Sequence, residues 1–196
     1  NSSLRRGKPC VHKIFGQDVA INAGNAMYYL PLLVLLKSKI DEKTKLRIYE
    51  TYTQEMINIS FGQGMDIAWH NGKADADNIS EEEYLQMCAY KTGTLARMSA
   101  KISAVVAGAH GKQVDAFGRF AEAIGVAFQI SDDSLDFVAD QDRLGKAIGA
   151  DLREGKRTLP LIAMLERARP AELERVRALL RHRTLEPAEL EEIRHL

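Results

Sequence analysis

Cysteine is nearly absent from these 196 residues, with Cys10 and Cys88 the only two. Two thiols build no disulfide framework, and their separation matches no zinc-ligand spacing. Both are expected as ordinary thiols of a reducing, cytoplasmic compartment. Net charge is lacking as well, with 27 basic against 27 acidic side chains. A balanced chain offers no electrostatic ground for nucleic acid as the main partner, so an anionic ligand must be met by a local cluster of cations. Long apolar runs are scarce too. The longest lies near Met27–Leu36, about half a membrane span, and Pro31 interrupts it. No signal-peptide pattern opens the chain, and neither does an initiating Met, so a longer parent is expected. No segment alternates in polarity as a strand does, and there is no internal repeat or low-complexity tract.

What is present reads as helix. Hydrophobic residues make up 45% of the chain, the globular range. Asp18–Lys37 is expected as an apolar helix kinked at Pro31. Asp41 is expected to cap a long amphipathic helix running to about Trp69, with Leu46, Tyr49, Met56, Ile59 and Met65 among its apolar positions. His70–Ile79 reads as a loop, from its Asn-Gly pair and alternating aspartates. Ser80 followed by Glu83 forms a capping box that starts a third helix, running to about Gly108. A fourth covers roughly Gly111–Asp140. A polar loop, Gln141–Arg157, follows. A short helix is expected over Thr158–Ala168, and two small polar ones around Pro170–Arg181 and Pro187–Leu196. The fold class is all-α, a single domain.

The most informative stretch is Ala127-Phe-Gln-Ile-Ser-Asp-Asp-Ser-Leu-Asp136-Phe. Gln129, Asp132, Asp133 and Asp136 stand at i, i+3, i+4 and i+7, one stripe of a helix. Phe128, Ile130, Leu135 and Phe137 flank that stripe with apolar surface, which implies burial. Buried carboxylates repel one another and lose hydration, at a cost of about several kcal/mol unless a counter-charge is present. Two readings fit: a solvated acidic face near a helix end, or a site for a hard cation. Magnesium suits the second, since it takes one or two carboxylates together with substrate phosphate oxygens.

Cations are scattered around this stripe in sequence. Lys91-Thr92 lies mid-helix among small residues, Lys146 follows Gly145, Lys156 follows Gly155, and Arg5-Arg6-Gly-Lys-Pro9 opens the chain. Each alone reads as a surface charge. Together with magnesium-holding carboxylates they make a diphosphate site. Two near misses carry nothing. Gly155-Lys156-Arg157 lacks the spacing and hydroxyl of a P-loop. Glu192-Ile-Arg-His195 has di-iron spacing in a single copy only.

Arg5-Arg6-Gly-Lys-Pro9, Gly62-Gln-Gly-Met-Asp66, Lys91-Thr92, Phe128-Gln-Ile-Ser-Asp-Asp-Ser-Leu-Asp136, Leu144-Gly-Lys146 and Asp151-Leu-Arg-Glu-Gly-Lys-Arg-Thr-Leu-Pro160 follow one another here. In that order they resemble the trans-prenyl diphosphate synthases over about residues 4–165, with geranylgeranyl diphosphate synthases nearest. The resemblance implies an isoprenoid synthase-type helical bundle around a central cavity. It implies condensation of an allylic diphosphate with isopentenyl diphosphate, magnesium as the cofactor, and a homodimer or an assembly of dimers. By the same resemblance, Asp132, Asp133 and Asp136 hold magnesium against the allylic diphosphate. Arg5, Lys91 and Lys146 bind that diphosphate, Arg6 contacts isopentenyl diphosphate, and Gln129 and Thr92 lie beside the allylic substrate. Lys156 stands at the mouth of the site. Lys91, Gln129 and Lys146 are the residues it implies for catalysis.

The family's first Asp-rich motif ends four residues before the Arg-Arg pair, so its last Asp would fall just upstream of Asn1. The domain is therefore expected to be incomplete at both ends. Asn25 also stands where many relatives have Asp. Two other readings keep the fold and change the activity. A class I terpene cyclase would carry an Asn/Ser/Glu metal motif and lack the loop lysines. A non-catalytic partner subunit would tend to lose the metal aspartates, which are all present here. The apolar coverage of Asp18–Lys37 and Ser80–Gly108 on more than one face supports the expected dimer.

Overall fold

Helix accounts for nearly all of the regular structure in the computed structural model, which describes residues 3–5, 7–72, 78–138, 149–180 and 186–195. The elements run β1 (Leu4–Arg5), β2 (Lys8–Pro9), α1 (Val11–Phe15), α2 (Gln17–Lys37), α3 (Glu42–His70) and α4 (Glu81–Cys88). A π-helical turn (Ala89–Gly93) follows, then α5 (Thr94–Val106) and α6 (Lys112–Val138). The last elements are α7 (Ala150–Arg153), α8 (Leu159–Arg167), α9 (Pro170–Leu180) and α10 (Pro187–His195). The chain divides into two compact units, residues 1–49 and 50–196.

In the first unit, β1 and β2 form a small antiparallel hairpin, Leu4 opposite Pro9 and Arg5 opposite Lys8. No strand was expected here, because two-residue strands are too short to leave an alternating pattern. Gly7, at φ 75°, takes the left-handed conformation the turn requires. Helix α2 runs unbroken through Pro31. Its most apolar 18-residue window has a mean hydropathy of 1.5, and none of that window is buried. By length and composition alone α2 is long and apolar enough to cross a membrane, a test that core helices and signal sequences also pass. Ile21, Ala23 and their neighbours extend the apolar stretch toward the N-terminal end, and Pro31 does not end it.

The second unit holds the site. Its helix α3 begins within the first unit, where Asp41 caps it as expected, the carboxylate accepting from the Thr44 amide at 3.0 Å. The Ser80–Glu83 box is formed from both sides, the Glu83 amide bonding the Ser80 hydroxyl and the Ser80 amide bonding the Glu83 carboxylate. The helix it starts passes into α5 only after one π turn, where the sequence had given an unbroken α-helix. Two apolar clusters carry the packing. Trp69, Ile79, Tyr84, Met87, Cys88 and Ile162 join the end of α3 to α4 and α8. Leu152, Leu161, Val176, Leu179, Leu190 and Ile193 join α7 through α10. The second cluster gives α9 and α10, polar as sequences, a common apolar seam.

Candidate active site on helices α3 to α7

Three glycines decide how closely the helices meet. A Cβ on Gly62 of α3 would stand 2.4 Å from the Lys91 amide nitrogen and 2.7 Å from the Tyr90 carbonyl carbon. A Cβ on Gly125 of α6 would stand 2.7 Å from Gly93 Cα. Backbone therefore touches backbone on both sides of the π turn, and that turn carries Lys91 and Thr92. Gly62→Ala is expected to be destabilising. Overpacking against rigid backbone costs about 1–3 kcal/mol and exceeds the ~1 kcal/mol gained in helix propensity. Gly64 has open space around it, so Gly64→Ala is expected to be neutral or slightly stabilising. Thermal unfolding of the pair checks both signs.

Gln129, Asp132, Asp133 and Asp136 share one stripe of α6, as the spacing predicts, but they differ in environment. Asp132 is exposed. Asp133 is 5% exposed, and both its oxygens take protein donors. Tyr84 Oη donates to Oδ2 at 2.6 Å and Gln129 Nε2 to Oδ1 at 2.7 Å. Burial pushes the Asp133 carboxyl above its usual range, against the opposing pull of those two bonds. Asp136 is fully buried, and its Oδ2 accepts the Asp151 amide at 3.0 Å, fastening the start of α7. Of the apolar flanks expected to bury the stripe, Ile130 and Phe137 are half-buried against the two clusters, whereas Phe128 is 68% and Leu135 44% exposed. Direct cover of Asp133 and Asp136 comes from Tyr84 of α4 and from α7, both distant in sequence.

The lysines arrive already paired. Lys91 Nζ lies 2.7 Å from Asp66 Oδ2, a carboxylate 6% exposed at the end of α3. Lys156 Nζ lies 2.7 Å from Asp151 and 3.1 Å from Glu154. Burial works to lower the Lys156 pKa, but the bonds and charges of Asp151 and Glu154 outweigh it and leave it raised. Thr92 donates its hydroxyl to Gln129 Oε1 at 2.6 Å. A cavity of about 110 Å³ gathers Asp66, Lys91, Gln129, Asp132, Asp133, Asp151, Lys156, Arg157 and Thr158. The Thr158 hydroxyl, on a residue 3% exposed, has no hydrogen-bond partner among the described residues.

Five of the expected site residues, Lys91, Gln129, Asp132, Asp133 and Lys156, thus line one cavity. Thr92 is bonded to it and Asp136 braces it from behind. Arg5 is exposed on β1 of the first unit. Arg6 and Lys146 lie outside the described residues. Sequence reasoning did not single out Asp66, Tyr84, Asp151 or Thr158 as site residues. Asp66, Asp151 and Thr158 stood within the quoted motifs, and Tyr84 lies four residues past Ser80 on the helix that the capping box starts.

Among the described residues no group of three or more His, Cys, Asp or Glu side chains could by itself hold a metal ion. The cavity fits a different arrangement: hard carboxylate oxygens on one wall, ammonium groups on another, and a buried hydroxyl without a partner. That donor set suits a hard divalent cation taking one or two carboxylates and completing its shell from a bound phosphate or water.

A helical fold thus brings acidic and basic groups to one small cavity, and comparison with known proteins gives its family. The chain belongs to the polyprenyl synthetase family, which it matches over residues 1–196. It is 34% identical over 192 residues to the short chain isoprenyl diphosphate synthase of Methanocaldococcus jannaschii, covering 98% of this chain and 57% of that protein. It is 36% identical over 166 residues to the geranylgeranyl diphosphate synthase of Sulfolobus acidocaldarius, covering 84% and 49%. The geranylgeranyl pyrophosphate synthetase structure from Pyrococcus horikoshii matches with a TM-score of 0.85 at 30% identity, over 98% of this chain and 56% of that one. A polyprenyl synthase from Caulobacter crescentus, complexed with calcium and isoprenyl diphosphate, matches with a TM-score of 0.82 at 29% identity, over 99% and 56%. The chain spans about half the length of the curated relatives it matches. These neighbours share the all-α fold expected from the sequence.

Proposed function

We propose that the protein is a magnesium-dependent prenyltransferase that joins an allylic diphosphate to isopentenyl diphosphate, lengthening a trans-prenyl chain. The observation that carries this reading is the meeting of Asp132, Gln129, Lys91 and Lys156 on one cavity. Asp132 is the aspartate of the stripe best placed to hold the metal, since Asp133 and Asp136 are already bonded within the protein. When bound, the metal supplies positive charge to the departing diphosphate. Lys91 and Lys156 add to that charge, and the roles of Arg5, Arg6 and Lys146 in binding the diphosphates rest on the family resemblance alone. The allylic C–O bond breaks and its electron pair leaves with the diphosphate. The π pair of isopentenyl diphosphate forms the new C–C bond, and the adjacent carbon gives up a proton, taken by the released diphosphate. Thr92 and Gln129 lie beside the carbon that becomes electron-poor.

The protein works in the cytoplasm, a setting that its free Cys10 and buried Cys88 suit. It acts as a homodimer or an assembly of dimers. Val19, Ile21, Met27, Tyr29, Leu33 and Val34 of α2 are each 47% exposed or more, apolar surface on more than one face that a partner would cover. Calorimetry on the intact protein tests the central reading. A bisphosphonate or diphosphate is expected to bind with magnesium present and to lose at least tenfold in affinity under chelator, because the carboxylates repel an unaccompanied anion. Affinity indifferent to chelator would remove the metal bridge. Product analysis with isopentenyl diphosphate and allylic diphosphates of graded length tests the condensation itself.

A further inference from the structure

Tyr84 has no exposed surface and sits among Trp69, Ile79, Met87, Cys88 and Ile162. A phenol enclosed in an apolar cluster needs a partner for its hydroxyl. The nearby Cys88 thiol, itself pushed by burial to a pKa of about 11, is a weak one. Tyr84 reaches out of the cluster to Asp133 Oδ2 at 2.6 Å. That bond is the first of three in a row. Asp133 Oδ1 accepts from the Gln129 amide at 2.7 Å, and Gln129 Oε1 accepts from the Thr92 hydroxyl at 2.6 Å.

Direction passes along the row because each group has fixed capacities. A carboxylate can receive only the nitrogen end of the amide. With that end engaged, the amide oxygen faces Thr92 and takes up its hydroxyl hydrogen. What remains free on Thr92 is oxygen lone pairs. Were the amide turned round, Thr92 would accept an N–H and its own hydrogen would point away from Gln129. The two arrangements occupy nearly the same volume and present opposite polarity to a ligand.

We infer that Tyr84 is a positioning residue for the condensation: by pinning Asp133 it sets which way round the Gln129 amide lies. Thr92 thereby offers an acceptor oxygen, not a hydrogen, to the electron-poor carbon formed when the allylic diphosphate ionises. This rests on the reaction proposed above. It gives Asp133 a role inside the protein, distinct from that of Asp132.

Three variants of the intact protein test it, assayed with magnesium, isopentenyl diphosphate and an allylic diphosphate. Tyr84→Phe keeps the ring in its cluster and is expected to lower kcat about 10- to 30-fold, with KM for the allylic diphosphate within about twofold, since the lost interaction matters only as charge develops. Thr92→Val is expected to lower kcat at least as much. The double variant is expected to be no slower than Thr92→Val, because Tyr84 acts through Thr92. Multiplying losses in the double variant, or a lowered Tm with unchanged kcat in Tyr84→Phe, would leave Tyr84 a structural residue and overturn the inference. The side-chain amide of Gln129 gives a reading independent of turnover. In ¹⁵N-labelled wild type its hydrogens should exchange slowly with solvent, and in Tyr84→Phe about tenfold faster or more. Unchanged exchange overturns the inference whatever the kinetics. Failure of the wild type to condense any allylic diphosphate would instead overturn the reaction, leaving the amide measurement to judge the relay.

Discussion

Replacing Arg97 by methionine is expected to lower the free energy of unfolding by about 3–5 kcal/mol, the usual cost of stranding a buried charge. Arg97 of α5 holds Glu55 of α3 through two bonds, Nε to Oε1 at 2.8 Å and Nη2 to Oε2 at 2.5 Å, and also pairs with Glu122 of α6. Glu55 is 3% exposed, so water cannot take over when the guanidinium goes. Methionine fills much of the volume, which isolates the loss of charge from the loss of packing. At about 2–4 °C per kcal/mol for a chain of this size, the midpoint should fall by roughly 10 °C. Adding Glu55→Gln to Arg97→Met should recover a large part of it. Thermal unfolding of the single and double variants checks the account, and a single variant within 1 °C of wild type would contradict it.

Lys91→Ala is expected to damage both folding and turnover, for separable reasons. The family resemblance makes Lys91 a point charge awaiting diphosphate, which predicts lost turnover with little loss of stability. The structure adds Asp66, whose carboxylate is buried and accepts from the Lys91 ammonium. Without the lysine that carboxylate is left short of a donor, at a cost of about 1–3 kcal/mol. On the proposed reaction, loss of a cation at the leaving group costs a further 2–4 kcal/mol or so of transition-state stabilisation, about 30- to 1,000-fold in kcat/KM. Pairing Lys91→Ala with Asp66→Asn should restore the melting temperature while leaving the rate low. If the rate returned with the stability, Lys91 would be a structural cation and not a substrate one.

How far the site could be read from the chain differs residue by residue. The stripe from Gln129 to Asp136 was legible because helical spacing is a local property, and the capping box at Ser80 and Glu83 for the same reason. The division of labour within that stripe was not. Whether Asp133 faces a ligand or a tyrosine depends on where α4 packs, and Tyr84 is 49 residues away along the chain. The ion pairs of Lys91 with Asp66 and of Lys156 with Asp151 are likewise matters of tertiary approach, although each partner lay within a motif quoted from the sequence. The π turn was hidden because Ala89–Gly93 keeps an ordinary helical composition. The apolar residues Phe128 and Leu135 misled in the other direction. Their hydrophobicity argued for burial, and the burial of the aspartates turned out to come from the opposite side of α6.

The close approach of α3, the π turn and α6 at Gly62, Gly93 and Gly125 bears on how the site would behave as the molecule warms. Side chains in a core hop between rotamers, and a site spaced by such side chains would blur with them. Here main chain rests on main chain, and a peptide unit has no rotamers to exchange. The spacing between Thr92 and Gln129 is therefore set by the stiffest parts of the protein. The surrounding apolar residues can soften, or be exchanged for others of similar volume, without detuning it.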